Sequence, residues 1–184
     1  MTPKNSRPFV SFVDNPRVFS YSFPRMNSLK PHERAALLLA TGFNLGRIPV
    51  ASGTFGSLLG LPIVFGLLHL PWWWQAVIAA TLTVAAVPIC HAAERILGKK
   101  DDGRIVADEW MVLPVSFIGL PVVATGVWWP LIFCWLITRV FDILKPPPAY
   151  QLQRFHGGVG IVIDDFIAAL YALVANHLIY FLVI

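Results

Sequence analysis

Apolar residues in this chain fall in long blocks, and the few charges lie between them. Residues 48–93, 110–138 and 166–184 contain no Asp, Glu, Lys or Arg. A helix crosses a bilayer core of about 30 Å with roughly 20 apolar residues. The last block therefore predicts one crossing. The first is too long for one and right for two: a helix starting in or just after the glycine-rich loop 42–57 and running to about residue 70, then a return from about residue 74 to residue 93. His69, Leu70, Pro71 and Trp72 to Trp74 mark the turn. A short interfacial helix is predicted over 32–40.

The block 110–138 is interrupted by Pro114, Gly119 and Pro121, and could form one tilted helix or two short ones. The charges favour two, turning near residues 122–129. Every Lys and Arg then lies on one face, as short loops require, whereas a single crossing strands Arg139, Lys145 and Arg154 opposite. Trp72 to Trp74, with Trp128 and Trp129, form an aromatic belt on the far face, and Arg95, Lys99, Lys100 and Arg104 anchor the near one. The expectation is an all-α, polytopic membrane bundle of about four to five membrane helices plus the short N-terminal interfacial helix. One domain spans 30–184, after a basic, loosely ordered tail over 1–29.

Composition agrees. Of 184 residues, 57% are hydrophobic and 13% charged, against about a quarter charged in soluble domains. No apolar core follows the first basic residues, so no cleavable signal peptide is predicted. Lys4, Arg7, Arg17 and Arg25 read as topology determinants. Cys90 and Cys134 lie in apolar segments without metal or redox spacing, as buried thiols do. Neither is followed by an arginine-bearing phosphate loop, which argues against a cysteine-dependent phosphatase.

The hairpin has a chemical consequence. It brings 53–57, Asp108 with Glu109, 139–145 and 156–165 to one rim, gathering five of the ten acidic residues: Asp108, Glu109, Asp142, Asp164 and Asp165. Clustered carboxylates repel unless a cation sits among them, and hard oxygens with few imidazoles suit Mg²⁺ better than Zn²⁺. Magnesium points to phosphate. Thr54, Gly56 and Ser57 offer hydroxyls and backbone amides, and Arg139, Lys145 and either Arg47 or Arg154 offer charge for phosphate oxygens. Each piece also has a structural reading. Thr54 and Ser57 could cap a helix, the acids at 108, 109, 164 and 165 are favoured near helix starts, and Arg139 could simply pair with Asp142 at i, i+3. His156, before two glycines, could donate a proton or bind phosphate. His69 and His177 read as interfacial or packed, and His32 as surface. The rival class is a small transporter with cation-binding acids; polar residues crowding one face argue against it.

Four ordered motifs carry a resemblance: the loop from Gly42 to Gly53-Thr54-Phe55-Gly56-Ser57, Ile105-Val106-Ala107-Asp108-Glu109, Arg139 to Pro148 with Asp142 and Lys145 inside it, and His156-Gly157-Gly158-Val159-Gly160-Ile161 to Asp164-Asp165. Over residues 42–169 the chain resembles the phosphatidylglycerophosphatase A family of bacterial membrane lipid phosphatases. The resemblance implies Mg²⁺-dependent hydrolysis of the terminal phosphate of phosphatidylglycerophosphate at the cytoplasmic face of the inner membrane, with phospholipid and no nucleic acid as partner. On that basis Asp108, Glu109, Asp142, Asp164 and Asp165 are expected to bind metal and activate water, Thr54, Gly56, Ser57, Arg139 and Lys145 to hold phosphate, and His156 to protonate the leaving alkoxide. A phosphatase or phosphotransferase for another lipid phosphate is the alternative of the same class. Ser52 stands where the family loop has proline, and Ala169 where glycine is common.

Overall fold

The computed structural model describes residues 24, 26–122 and 128–183, and every regular element among them is an α-helix or a short 3-10 turn. In chain order the helices are α1 (Pro31–Ala40), α2 (Ser52–Leu58), α3 (Gly60–Leu67), α4 (Trp72–Leu97), α5 (Ala107–Val112), α6 (Trp129–Leu144), α7 (Ala149–Leu152) and α8 (Gly158–Val183). The basic residues Lys4, Arg7, Arg17 and Arg25 lie outside the described residues.

Two helices, α4 and α8, are long and apolar enough to cross a membrane. At 26 residues each they extend about 39 Å, more than a bilayer core. Half of the apolar window of α8 is buried against 22% for α4, so α8 is the axis of the bundle and α4 covers one side of it. The other elements behind the expected four to five crossings are shorter. Leu59 keeps right-handed helical angles between α2 and α3, giving one apolar stretch over Ser52–Leu67, and α6 has 16 residues, about 24 Å.

The block 110–138 forms the expected hairpin with one limb of a different kind. After α5 the chain tightens into a 3-10 turn over Leu113–Phe117, because Pro114 has no N–H to continue an α-helix. These residues are buried in the protein, and the limb rises only about 19 Å. It runs from the acidic end toward the tryptophan end enclosed by neighbouring helices. Gly119, at φ +76°, turns the chain. Its N–H donates to Gln75 Oε1 at 2.8 Å, and Tyr180 Oη donates to Pro121 O at 3.1 Å. The turn thus lies beside Trp72, at the tryptophan end. Residues 123–127 lie outside the described residues.

The C-terminal helix starts at Gly158, eight residues before the apolar block that predicts it. Glycine makes the early start possible: a Cβ at Gly158 would stand 1.9 Å from Val87 O, and one at Gly160 2.0 Å from Phe155 O. Asp164 and Asp165 are therefore inside α8, roughly 10 Å from its first residue.

Candidate functional site

Five acidic side chains expected together do converge, at the end of the bundle opposite the tryptophans. Asp108 and Glu109 open α5, Asp142 lies in the last turns of α6, and Asp164 and Asp165 sit in α8. A cleft between these helices is lined by Asp108, Glu109, Arg139, Asp142 and Asp165, with Ser57 of α2 and the apolar Val112, Leu113 and Ala169.

Two internal cations answer four of the five carboxylates. Arg139 Nη1 is 3.8 Å from Glu109 Oε1 and also donates to Asp142. The local i, i+3 pair weighed from sequence therefore forms, and it doubles as a bridge to α5. Lys145 Nζ donates to Asp164 and, at 2.9 Å, to Asp165 Oδ1. Lys145 ends α6 at φ +43°; this left-handed turn at the edge of Pro146 folds the ammonium back toward α8. Gln153, unmarked by any pattern in the sequence, adds Nε2 to Asp164 Oδ2 at 2.9 Å. Asp108 has no ion pair among the described residues.

Burial works against charge in this cluster. Burial pushes the Asp108 carboxyl well above its ordinary range, and Glu109 nearby pushes it further. Burial raises Glu109 to about 7 although Arg139 opposes the rise. For Lys145, burial disfavours the ammonium, but Asp165 and Asp164 outweigh it and hold the group protonated. Asp108 Oδ1, Glu109 Oε2 and Asp164 Oδ1 are buried without a hydrogen-bond partner. Orphaned carboxyl oxygens in a site with five acidic and two basic side chains suit a hard divalent cation in kind. No three of the candidate ligands form a ready-made metal group among the described residues, because Arg139 and Lys145 stand between them.

The glycine-rich loop has a role the sequence did not indicate. Gly53 and Gly56 are buried, and a Cβ at either would meet the Glu109 carboxylate, at 2.0 Å for Gly53 and 3.0 Å for Gly56. These glycines admit Glu109 to the face of α2. Ser57 is not a cap: its Oγ donates to Thr54 O at 3.0 Å and accepts from Trp135 Nε1 at 3.1 Å. Thr54 is half-buried on the outer side of the same turn. His156 is exposed and does not line the cleft.

The phosphatidylglycerophosphatase A family matches residues 38–180, more than half of the chain and all of the site. The chain belongs to the phosphatidylglycerophosphatase A family. It is 35% identical to phosphatidylglycerophosphatase A of Escherichia coli over 132 residues, covering 71% of this chain and 75% of the relative. The Haemophilus influenzae protein of the same name is 35% identical over 141 residues, 74% of this chain and 83% of the relative. A Bacteroides thetaiotaomicron protein, provisionally named a phosphatidylinositol-3-phosphatase, is 32% identical over 144 residues, 75% of this chain and 89% of the relative. No solved structure matches.

Membership in this family makes the chain a phosphatase, and both departures from the family pattern are accommodated around the acidic cleft. Ser52 Oγ donates to Gly103 O at 2.8 Å, tying down the loop start that proline would otherwise stiffen. Ala169 lines the cleft floor with 3% of its surface exposed. Cys90 and Cys134 are buried and unlinked.

Proposed function

We propose that the protein removes the terminal phosphate of phosphatidylglycerophosphate, releasing phosphatidylglycerol and inorganic phosphate at the cytoplasmic face of a bacterial inner membrane. The observation that carries this reading is a cleft lined by four acidic side chains and Arg139, with the Lys145–Asp164 pair beside it, at the basic end of the bundle. The positive-inside rule supports the orientation.

Asp108, Glu109, Asp142, Asp164 and Asp165 are the residues that would hold Mg²⁺. Bound there, the ion would neutralise phosphate oxygens and acidify a water for attack. The chain's own residues account for the rest. Arg139, fixed by Glu109 and Asp142, presents a planar guanidinium to the anion. Lys145, hydrogen-bonded to both Asp164 and Asp165, offers a second positive charge beside them. Apolar Val112 and Leu113 keep bulk water from the cleft, which strengthens each of these contacts. A phosphate monoester is among the most inert of biological bonds, with enzymatic accelerations up to ~10²¹, and charge neutralisation on this scale meets that demand without a covalent intermediate. His156, exposed outside the cleft, has no part in this scheme.

The test is phosphate release by purified protein from phosphatidylglycerophosphate, with Mg²⁺ and with a chelator. Release that needs Mg²⁺ supports the reading; no release under either condition rejects it. The Bacteroides relative makes phosphatidylinositol 3-phosphate the second substrate for the same assay, and faster turnover of that lipid would transfer the proposal to it.

A further inference from the structure

We propose that the lipid reaches the cleft sideways from the membrane, through the seam between α2 and α6, with an acyl chain lying between Leu58 and the face of α6 that carries Leu136 and Ile143. This rests on the reading that the substrate is a lipid phosphate. Around the cleft, α2 packs on α5, α5 on α8 and α8 on α6. The remaining edge, from α6 back to α2, is bridged by the hydrogen bond from Trp135 Nε1 to Ser57 Oγ. Toward the tryptophan end this seam is sealed, because Leu61 and Leu131 join the apolar cluster that contains Trp135. Toward the acidic rim no buried apolar cluster joins the two helices among the described residues.

This part has an amphipathic layout. Leu58 lies level with the Trp135–Ser57 bridge and is 38% exposed; Leu136 and Ile143, on the rim side of it, are 49% and 71% exposed. Leu136, Arg139 and Ile143 recur at i, i+3 and i+7, so they share one stripe of α6. Arg139 sits between the two apolar side chains, lines the cleft, and has a buried Nε without a partner. A phosphate ester on an alkyl-chained glycerol has the same order of parts, anion first and hydrocarbon beside it. The groove between α4 and α8, lined by Val84, Val87, Ile163 and Phe166, has the hydrocarbon character but no cation, and so fits a tail without a head group.

The experiment compares Leu58→Trp, Leu136→Trp and, as control, Val84→Trp, each on long-chain phosphatidylglycerophosphate in vesicles and on its water-soluble deacylated head group. A lip variant that displaces about two methylenes from their contact should slow the lipid by roughly tenfold and leave the soluble substrate within about twofold, with the control unaffected on both. Equal losses on both substrates, no loss on the lipid, or a loss confined to Val84→Trp would overturn the proposal. A second measurement does not depend on turnover: a phospholipid phosphate bearing a diazirine on its acyl chain should label the lip residues, and excess unlabelled lipid phosphate should suppress that labelling but not labelling around Val84. Suppression at Val84 and not at the lips overturns the route. Absence of phosphate release from every substrate rejects the phosphatase reading itself, while the labelling still decides the seam.

Discussion

The carboxylate of Glu109 lies where a side chain on Gly53 would have to go, 2.0 Å from the position of its Cβ. Both residues belong to motifs far apart in the chain, and each explains the other: glycine is required at 53 because an acid from α5 is pressed against α2.

Gly53→Ala should accordingly push Glu109 off its position and away from Arg139. The expected result is a loss of activity of roughly tenfold or more, from misplacement of groups near the reacting phosphate by a fraction of an ångström, with the helical circular dichroism unchanged. Gly66→Ala is the control. Its Cβ meets nothing within 4 Å in α3, so it should leave activity intact and raise stability by about 0.5–1 kcal/mol. Normal turnover in Gly53→Ala would refute this account of the loop.

Asp108→Asn, Asp142→Asn and Asp165→Asn should each abolish phosphate release while the protein stays folded, because the amide keeps the shape and removes the charge a hard cation needs. Cys90→Ala should retain most activity. Full turnover in all three Asn variants at limiting Mg²⁺ would dismiss the acidic site; a dead but folded Cys90→Ala would restore a thiol route.

Lys145→Gln removes the shared partner of Asp164 and Asp165. An uncompensated buried charge costs roughly 3–5 kcal/mol, so the single variant should unfold at markedly lower denaturant. Combining it with Asp164→Asn removes part of the repulsion, and the double variant should be more stable than Lys145→Gln alone. Additive losses in unfolding titrations would contradict the coupling.

Asp102 gives a pH signature outside the cleft. Its carboxylate accepts from Arg104 Nε and Nη2, both at 2.8 Å, and that hydrogen bonding holds it below the ordinary carboxylate range. The pair's stabilisation is therefore complete above the unfolded value near pH 4 and disappears as pH falls through the lower folded value. Asp102→Asn should cost about 1 kcal/mol at pH 7 and progressively less below pH 4. A constant difference between the two proteins across that range would exclude the ion pair as the cause.

Much of this was readable in the residues because membrane burial writes itself in plain runs. The block 48–93 gave its turn at Pro71 and its tryptophans correctly, and the one-sided charges led to the hairpin that gathers the carboxylates. Where backbone packing decides, the runs mislead. Apolar residues 110–117 look like a lipid-facing helix, but they are enclosed by protein, and hydropathy does not distinguish lipid from a neighbouring helix. The start of α8 at Gly158 depends on Val87 O lying close by, a contact with no trace in local sequence. The loop glycines are read from sequence as part of a phosphate site; that Gly53 also makes room for Glu109 depends on a contact between distant segments. Gln153 and Trp135 carried no signal at all.

Asp164 and Asp165 ride on a 26-residue helix long and apolar enough to span a bilayer, while Lys145, their shared partner, ends a 16-residue helix beside it. Hydrophobic mismatch is relieved mainly by tilting long helices, so a change in membrane thickness rotates one half of the site against the other. Bilayer thickness would thereby bear on how the two halves of the acidic cleft sit against each other.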